Sequence, residues 1–201
     1  MAIKGLSYMV AGKYAYSNSA ISYSEGKVLG KAVSYALNLD APAANNLYGD
    51  NEIAESDNAL FSSGTLDLNA TDFAETVRAW MYGITARTEG TGTTTTFYDY
   101  DDDADPIEMG VGLIELHQIN NEDKWQPVIL TRVKPQYINA QAQTKGETID
   151  WQTPTVTCTV MRAEDSKHRW MTRGDMYATE DAAKAVLNTI FGISVGGGGT
   201  T

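Results

Sequence analysis

Strict alternation of apolar and polar residues constrains this chain more than any other feature. In residues 32–40, Val33, Tyr35, Leu37 and Leu39 fall on one side and Ala32, Ser34, Ala36, Asn38 and Asp40 on the other. Successive side chains of an extended strand point to opposite faces, so this run is expected to be a strand with one buried face. Residues 65–69 repeat the pattern with Leu66 and Leu68, and residues 155–161 with Val156, Cys158 and Val160. Further strand candidates enriched in threonine, valine and tyrosine lie at residues 6–11, 13–16, 109–119 and 128–134.

Helical spacing occurs twice. Phe73, Val77, Trp80, Met81 and Ile84 make one apolar stripe, with Asp72 and Glu75 placed as cap and third residue and Gly83 as terminator. A second helix is predicted from Thr179, with Glu180 and Asp181 suiting its positive end, through Ala183, Val186, Leu187 and Ile190 to Gly192. Many strands and only two helices exclude repeated βαβ units and point to a mainly β (α+β) chain, a β-sandwich or small barrel with a flanking helix.

At 201 residues the chain is long enough to bury a core without staples. Cys158 is the single cysteine, which excludes an intramolecular disulfide and a cysteine zinc cluster; its place in an alternating strand suits core packing. No stretch approaches a membrane span, and the first residues lack the apolar run of a signal peptide, so synthesis and folding in a cytoplasm are expected. The formal net charge is −11, from 15 basic and 26 acidic residues, and the basic ones are scattered. Such a surface repels a phosphate backbone, so contact with nucleic acid is expected to be non-adhesive.

The arrangements that carry chemistry are incomplete. Asp99, Asp101, Asp103 and Asp105 invite a calcium-loop reading, but Ala104 or Pro106 falls where that loop needs glycine. His117 and His168 lack ligand-spaced partners, and the glycines at 196–199 are followed by no Lys-Ser or Lys-Thr pair. Trp80 belongs to the helix stripe, whereas Trp125, Trp151 and Trp170 are candidates for sugar stacking. No catalytic residue, cofactor or metal site is assigned. Residues 85–107, with their threonine and aspartate tracts, are expected to form a solvated low-complexity loop.

One connection stands apart. Residues 41–64 hold Asp50, Glu52, Glu55 and Asp57 and neither Lys nor Arg, together with turn formers. So long a connection inside a compact domain usually has a function. Leu47, Tyr48, Ile53, Leu60 and Phe61 have no reason to sit in a purely solvated loop, so they are expected to be buried against something, a second subunit above all.

Two segments carry a resemblance to a known family. One is Leu47-Tyr48-Gly49-Asp50-Asn51-Glu52, followed by the strand at 65–69 and the helix ending Trp80-Met81-Tyr82-Gly83. The other is Gln141-Ala142-Gln143-Thr144-Lys145-Gly146-Glu147-Thr148-Ile149, leading through Trp151-Gln152-Thr153-Pro154 into the strand at 155–161. In these, and in the order of elements over most of residues 1–192, the chain resembles the major tail protein, or tail tube protein, of long-tailed bacteriophages of Gram-positive hosts; residues 89–105 depart from it. The resemblance implies a virion structural protein whose subunits form hexameric rings stacked into a hollow tube, the conduit for DNA ejection. It implies partners as well: further copies of itself, tape-measure and tail-completion proteins, and DNA that passes without tight binding. Leu47, Tyr48, Gly49, Asp50, Asn51 and Glu52 then belong to an inter-ring assembly loop, and residues 193–201 to a flexible arm. A monomeric carbohydrate-binding or adhesin module is the alternative from a different class.

Overall fold

The structure is a computed structural model describing residues 2–40, 44–57, 60–137, 142–144 and 151–194. In chain order the elements are β1 (Ala2–Ser17), β2 (Ala20–Gly30), β3 (Ala32–Leu39), β4 (Asn45–Gly49), β5 (Glu52–Asp57), β6 (Gly64–Ala70), α1 (Glu75–Tyr82), β7 (Thr85–Glu89), β8 (Thr95–Asp99), β9 (Met109–Ile119), β10 (Glu122–Pro135), β11 (Thr155–Val160), β12 (Met171–Arg173) and α2 (Glu180–Phe191). The chain is mainly β, an antiparallel sheet with a flanking helix, as the alternation requires.

The main sheet runs β2-β1-β9-β10-β11-β6-β3, with β12 added to β10. It folds over on itself, because Tyr35 of the end strand β3 reaches Glu115 of β9 across the interior. Long strand β10 makes the turn between layers: it pairs with β9 along most of its length, slips register between Leu130 and Val133, and meets β11 only through Val133, Lys134 and Pro135. Between the layers lie Met9, Leu29, Leu66, Leu68, Val111, Leu113, Leu130, Val156 and Cys158, all buried. Each large aliphatic side chain removed from water there contributes about 1.5–3 kcal/mol.

Side chains of the opposite parity cover the outside. Val10 and Ile114 point away from the main core and receive Ala183, Leu187 and Phe191 of α2. The helix starts where Thr179 accepts a hydrogen bond from the Ala182 amide at 3.3 Å and stops at left-handed Gly192, φ 64°. Glycine opens the groove that seats it: a Cβ at Gly26 would lie 2.1 Å from the Phe191 carbonyl oxygen, and one at Gly112 2.6 Å from the Phe191 ring. Helix α1 packs Val77, Ala79, Met81 and Tyr82 into the main core and ends at left-handed Gly83, φ 67°.

Several expectations need correction. Residues 6–11 and 13–16 are one strand, β1, interrupted by a register shift between Ala11 and Lys13. Strands β2 and β12 carried no alternation strong enough to be expected, and β10 starts earlier than residue 128. Asp72 does not cap α1; the cap position is Ala74, with no side-chain hydrogen bond. Strand β3 does not bury one whole face, since Tyr35 and Leu37 are half-buried whereas Val33 and Leu39 are exposed, the consequence of lying at the end of the sheet. Residues 85–107 are not a featureless loop: β7 and β8 pair as a hairpin from Thr85↔Asp99 to Glu89↔Thr95.

Candidate functional site: an exposed hairpin arm

Within the connection at 41–64, the described residues 45–57 are likewise not an irregular loop. Strands β4 and β5 form an antiparallel ribbon through Asn45↔Asp57, Asn46↔Ser56, Leu47↔Glu55, Tyr48↔Ile53 and Gly49↔Glu52, with a register shift between Leu47 and Tyr48. Asp50 and Asn51 make the two-residue turn with φ of 50° and 65°. Short Asp and Asn side chains tolerate this left-handed pair, whose twist matches that of the flanking strands.

The ribbon springs from one end of the β3–β6 pair. There Leu39 faces Gly64, the Asp40 amide donates to the Ser63 carbonyl at 3.1 Å, and the Ser63 hydroxyl donates to the Asp40 carboxylate at 2.7 Å. Beyond the ribbon, Phe61 stacks on Trp170 at 4.9 Å between ring centres, and the Phe61 carbonyl accepts from the Arg162 guanidinium. The base of the arm is therefore tied to the body.

Its apolar side chains are not. Leu47 is 61% exposed, Tyr48 66%, Ile53 55% and Leu60 71%, so the expectation that these groups are buried fails within the single chain; among the described residues only Phe61 finds a partner. Two strands alone have no second layer to pack against. Asp50, Glu52, Glu55 and Asp57 form no ion pair among the described residues, and Asn46, Leu47, Glu55, Ser56 and Asp57 line an open concavity of about 430 Å³. The ribbon thus combines exposed apolar side chains with uncompensated negative charge. All six residues expected at the site, Leu47, Tyr48, Gly49, Asp50, Asn51 and Glu52, lie on it.

The acidic row before β9 is dispersed. Asp99 is held below its ordinary pKa by the hydrogen bond and charge of Arg87, Asp101 accepts from the Asp103 amide at 3.2 Å, and Asp105 pairs with Lys134 at 3.0 Å. Among the described residues no group of three or more histidine, cysteine or acidic side chains is placed to hold a metal ion. Cys158 lies in the core, and burial pushes its thiol pKa up to about 12.

A second polar arrangement escaped the sequence reading. Glu115 is fully buried and accepts from the Tyr35 hydroxyl, from the Arg173 guanidinium at 2.7 and 3.1 Å, and from His117 Nε2 at 3.1 Å. Burial pushes its pKa up, but hydrogen bonds from Tyr35, Arg173 and His117 and the Arg173 charge pull it further down, leaving it below the ordinary carboxylate value. An ionised carboxylate only accepts, so His117 donates through Nε2, and its Nδ1 is buried without a partner among the described residues. The cluster ties β3, β9 and β12 together. Its local signal was a Glu and a His at inward positions of an apolar strand.

The tryptophans divide. Trp80 is half-buried and donates to Glu25 at 3.0 Å, Trp125 and Trp170 are half-buried, and Trp151 is 85% exposed. Of the second segment of the resemblance, residues 141 and 145–149 lie outside the described residues, as do residues 195–201 of the expected C-terminal arm. No helix among the described residues is long and apolar enough to cross a membrane. No protein-family model matches this chain, and no curated protein matches its sequence.

Proposed function

We propose that this chain is a virion structural protein, the subunit of a phage tail tube, built as hexameric rings that stack into a conduit for DNA ejection. The observation that carries this reading is the β4–β5 arm, with Leu47, Tyr48 and Ile53 held in solvent on a ribbon that has no second layer. Large apolar groups gathered on a protruding element mark a surface made for a partner. The resemblance noted for residues 47–52 and 80–83 names that partner as the subunit of the next ring.

Two further features support it. Strands β2 and β3 end the sheet, and their outer edges pair with no strand among the described residues. Open edges invite uncontrolled pairing unless another chain covers them, and lateral contact within a ring covers both. Longitudinal contact between unlike surfaces does not close on itself, so rings continue into a tube. Part of the negative surplus, −11 over the chain, then lines the lumen, where DNA slides without the counterion-releasing contacts that basic side chains make with its phosphates. Tape-measure and tail-completion proteins belong to the same proposal as partners, the virion as location, and no catalytic role is assigned.

A monomeric carbohydrate-binding module is the second reading, favoured by the exposure of Trp151. Negative-stain microscopy and sedimentation of the purified protein separate the two. Rings or long tubes are expected; a monomer at every concentration, with glycan binding through Trp151, overturns the tube assignment.

A further inference from the structure

Nearly all of the chain's charge surplus sits on two excursions that meet the body along one row. Met109 of β9 is in register with Val133 of β10, Val133 with Val160 of β11, Val160 with Gly64 of β6, and Gly64 with Leu39 of β3. The β4–β5 arm leaves this row after Leu39 and rejoins it at Gly64. The β7–β8 hairpin and the segment behind it rejoin it at Met109; just before, the Ile107 amide donates to the Met81 carbonyl at 3.0 Å and Asp105 pairs with Lys134, the neighbour of Val133. Residues 45–57 hold four acids and no base, and residues 85–108 hold seven acids and one base. The two excursions therefore carry ten of the eleven surplus negative charges, and the rest of the chain is close to neutral.

Little at that end offsets them. Arg87, the one cation on either excursion, is held by Asp99 and Glu89, while Arg132 is taken up by Glu108 and Glu164 and Lys134 by Asp105. Lys13, opposite Met109, and Arg162, beyond Val160, belong to the body, and Arg162 donates to the Phe61 carbonyl. Asp50, Glu52, Glu55 and Asp57 on the arm, and Asp101, Asp102 and Asp103 behind the hairpin, are exposed and form no ion pair among the described residues. The same excursions hold the exposed apolar side chains Leu47, Tyr48, Ile53, Phe97 and Tyr100. Groups that favour contact and charges that oppose it thus share the same two excursions.

We propose that these carboxylates gate self-association: the apolar side chains beside them drive contact between copies, and their like charge withholds it until counterions screen it. This rests on the tube reading and adds the condition under which tubes grow. A ring of identical copies sets the same end of every copy around one rim, so the charge of one excursion is repeated around the axis and like faces like. Salt shortens the reach of that repulsion and leaves apolar burial in place.

The test is a sedimentation and negative-stain series on the full chain from about 0.02 M to about 0.5 M salt, over which the screening length falls from about 20 Å to about 4 Å. The concentration at which the parent begins to form rings and tubes should fall about tenfold or more across the series. An Asp101→Asn, Asp102→Asn, Asp103→Asn variant keeps the side-chain oxygen that accepts from the residue 103 amide. At low salt it should assemble at a concentration about threefold or more below the parent's, with a shallower salt dependence. An Asp72→Asn, Asp175→Asn, Asp181→Asn variant makes the same change of net charge at exposed positions of the body, and should keep the parent's threshold and slope. Circular dichroism matching the parent's is expected of both. If the parent's threshold ignores salt, or if the two variants shift it alike, the placement of charge is not a gate and the tube reading stands. If parent and variants form neither rings nor tubes at any salt, the tube reading fails and the gate with it.

Discussion

Arg173 closes on Glu115 through two nitrogens, Nη1 on Oε2 at 2.7 Å and Nη2 on Oε1 at 3.1 Å, from a strand only three residues long. Bidentate pairing of this kind is charge-assisted and directional. It ties β12 to the interior face of β9, while Tyr35 ties β3 to the same carboxylate.

Breaking that pair from the arginine side is expected to cost more than breaking it from the acid side. Arg173→Met leaves a fully buried carboxylate without its cation, a loss of about 3–5 kcal/mol. Glu115→Gln leaves a guanidinium that is 39% exposed and regains water, so its cost is smaller. The pH dependence has a definite sign. With its folded pKa below the unfolded value, Glu115 adds stability above the ordinary carboxylate pKa and loses it as pH falls through the depressed one. In Arg173→Met that pKa moves up, because burial then meets less opposition. The gap between parent and variant should narrow as pH falls through the carboxylate range. Urea unfolding at stepped pH measures it, and a constant gap would remove Glu115 from the account.

Gly26 sets how closely α2 approaches the sheet. Its absent Cβ would meet the Phe191 carbonyl oxygen at 2.1 Å and Ile193 Cγ1 at 2.6 Å, and backbone does not yield as a side-chain tip does. Gly26→Ala is expected to displace the end of α2 at a cost of about 1–3 kcal/mol, or about 2–4 °C in melting temperature for each kcal/mol in a chain of this size. Gly5→Ala, whose Cβ would sit 3.7 Å from Leu116, should melt close to the parent. Calorimetry decides; equal melting of the two variants would show that the groove has slack.

The parts legible in sequence were those whose packing leaves a local period. Leu66 and Leu68, or Val156, Cys158 and Val160, alternate because one face of each strand is buried, and Thr179, Gly83 and Gly192 fix helix ends by backbone chemistry that needs no tertiary partner. Strand β2 was hidden because Glu25, at φ 53°, interrupts its phase: Tyr23 packs outward on Phe191 whereas Leu29 faces the inner core. Strands β7 and β8 and the arm strands have little or no buried face, so composition alone spoke there, and it spoke for loops. Asp50-Asn51 was a turn signal, one shared by Asn18-Ser19 and Asn120-Asn121, where positive φ at both residues again joins paired strands. The Glu115 cluster lay beyond reach because Tyr35 is 80 residues from Glu115 in sequence and Arg173 is 58.

Cys158 supplies an internal probe of opening. Its side chain is fully buried between β6 and β10, and burial raises the thiol pKa to about 12, so neither access nor thiolate is present in the native chain at neutral pH. Modification by a maleimide is expected to proceed only from opened molecules and to accelerate with denaturant in step with unfolding. Stoichiometric labelling of the folded protein within the mixing time would contradict the burial.

The arm separates folding from assembly, which makes its removal informative. Replacing residues 45–57 with a short glycine linker takes away Leu47, Tyr48 and Ile53, none of which supports the core, and spares Phe61 on Trp170 and Ser63 on Asp40. Loop closure depends only weakly on length, so the melting temperature should stay near that of the parent. Extending the cut through residue 62 also removes the Phe61–Trp170 stack, and a loss of about 0.5–1.5 kcal/mol beyond the lost burial is expected. Tyr48→Ala should change unfolding by less than about 0.5 kcal/mol, since the ring is exposed. Its effect belongs to polymer growth: a truncated aromatic anchor costs about 2 kcal/mol or more, which raises the concentration needed for stacking by more than about tenfold. Sedimentation of the parent, the two deletions and Tyr48→Ala over a concentration series measures both effects together. Stacking that survives loss of residues 45–57 would take the arm out of the longitudinal contact.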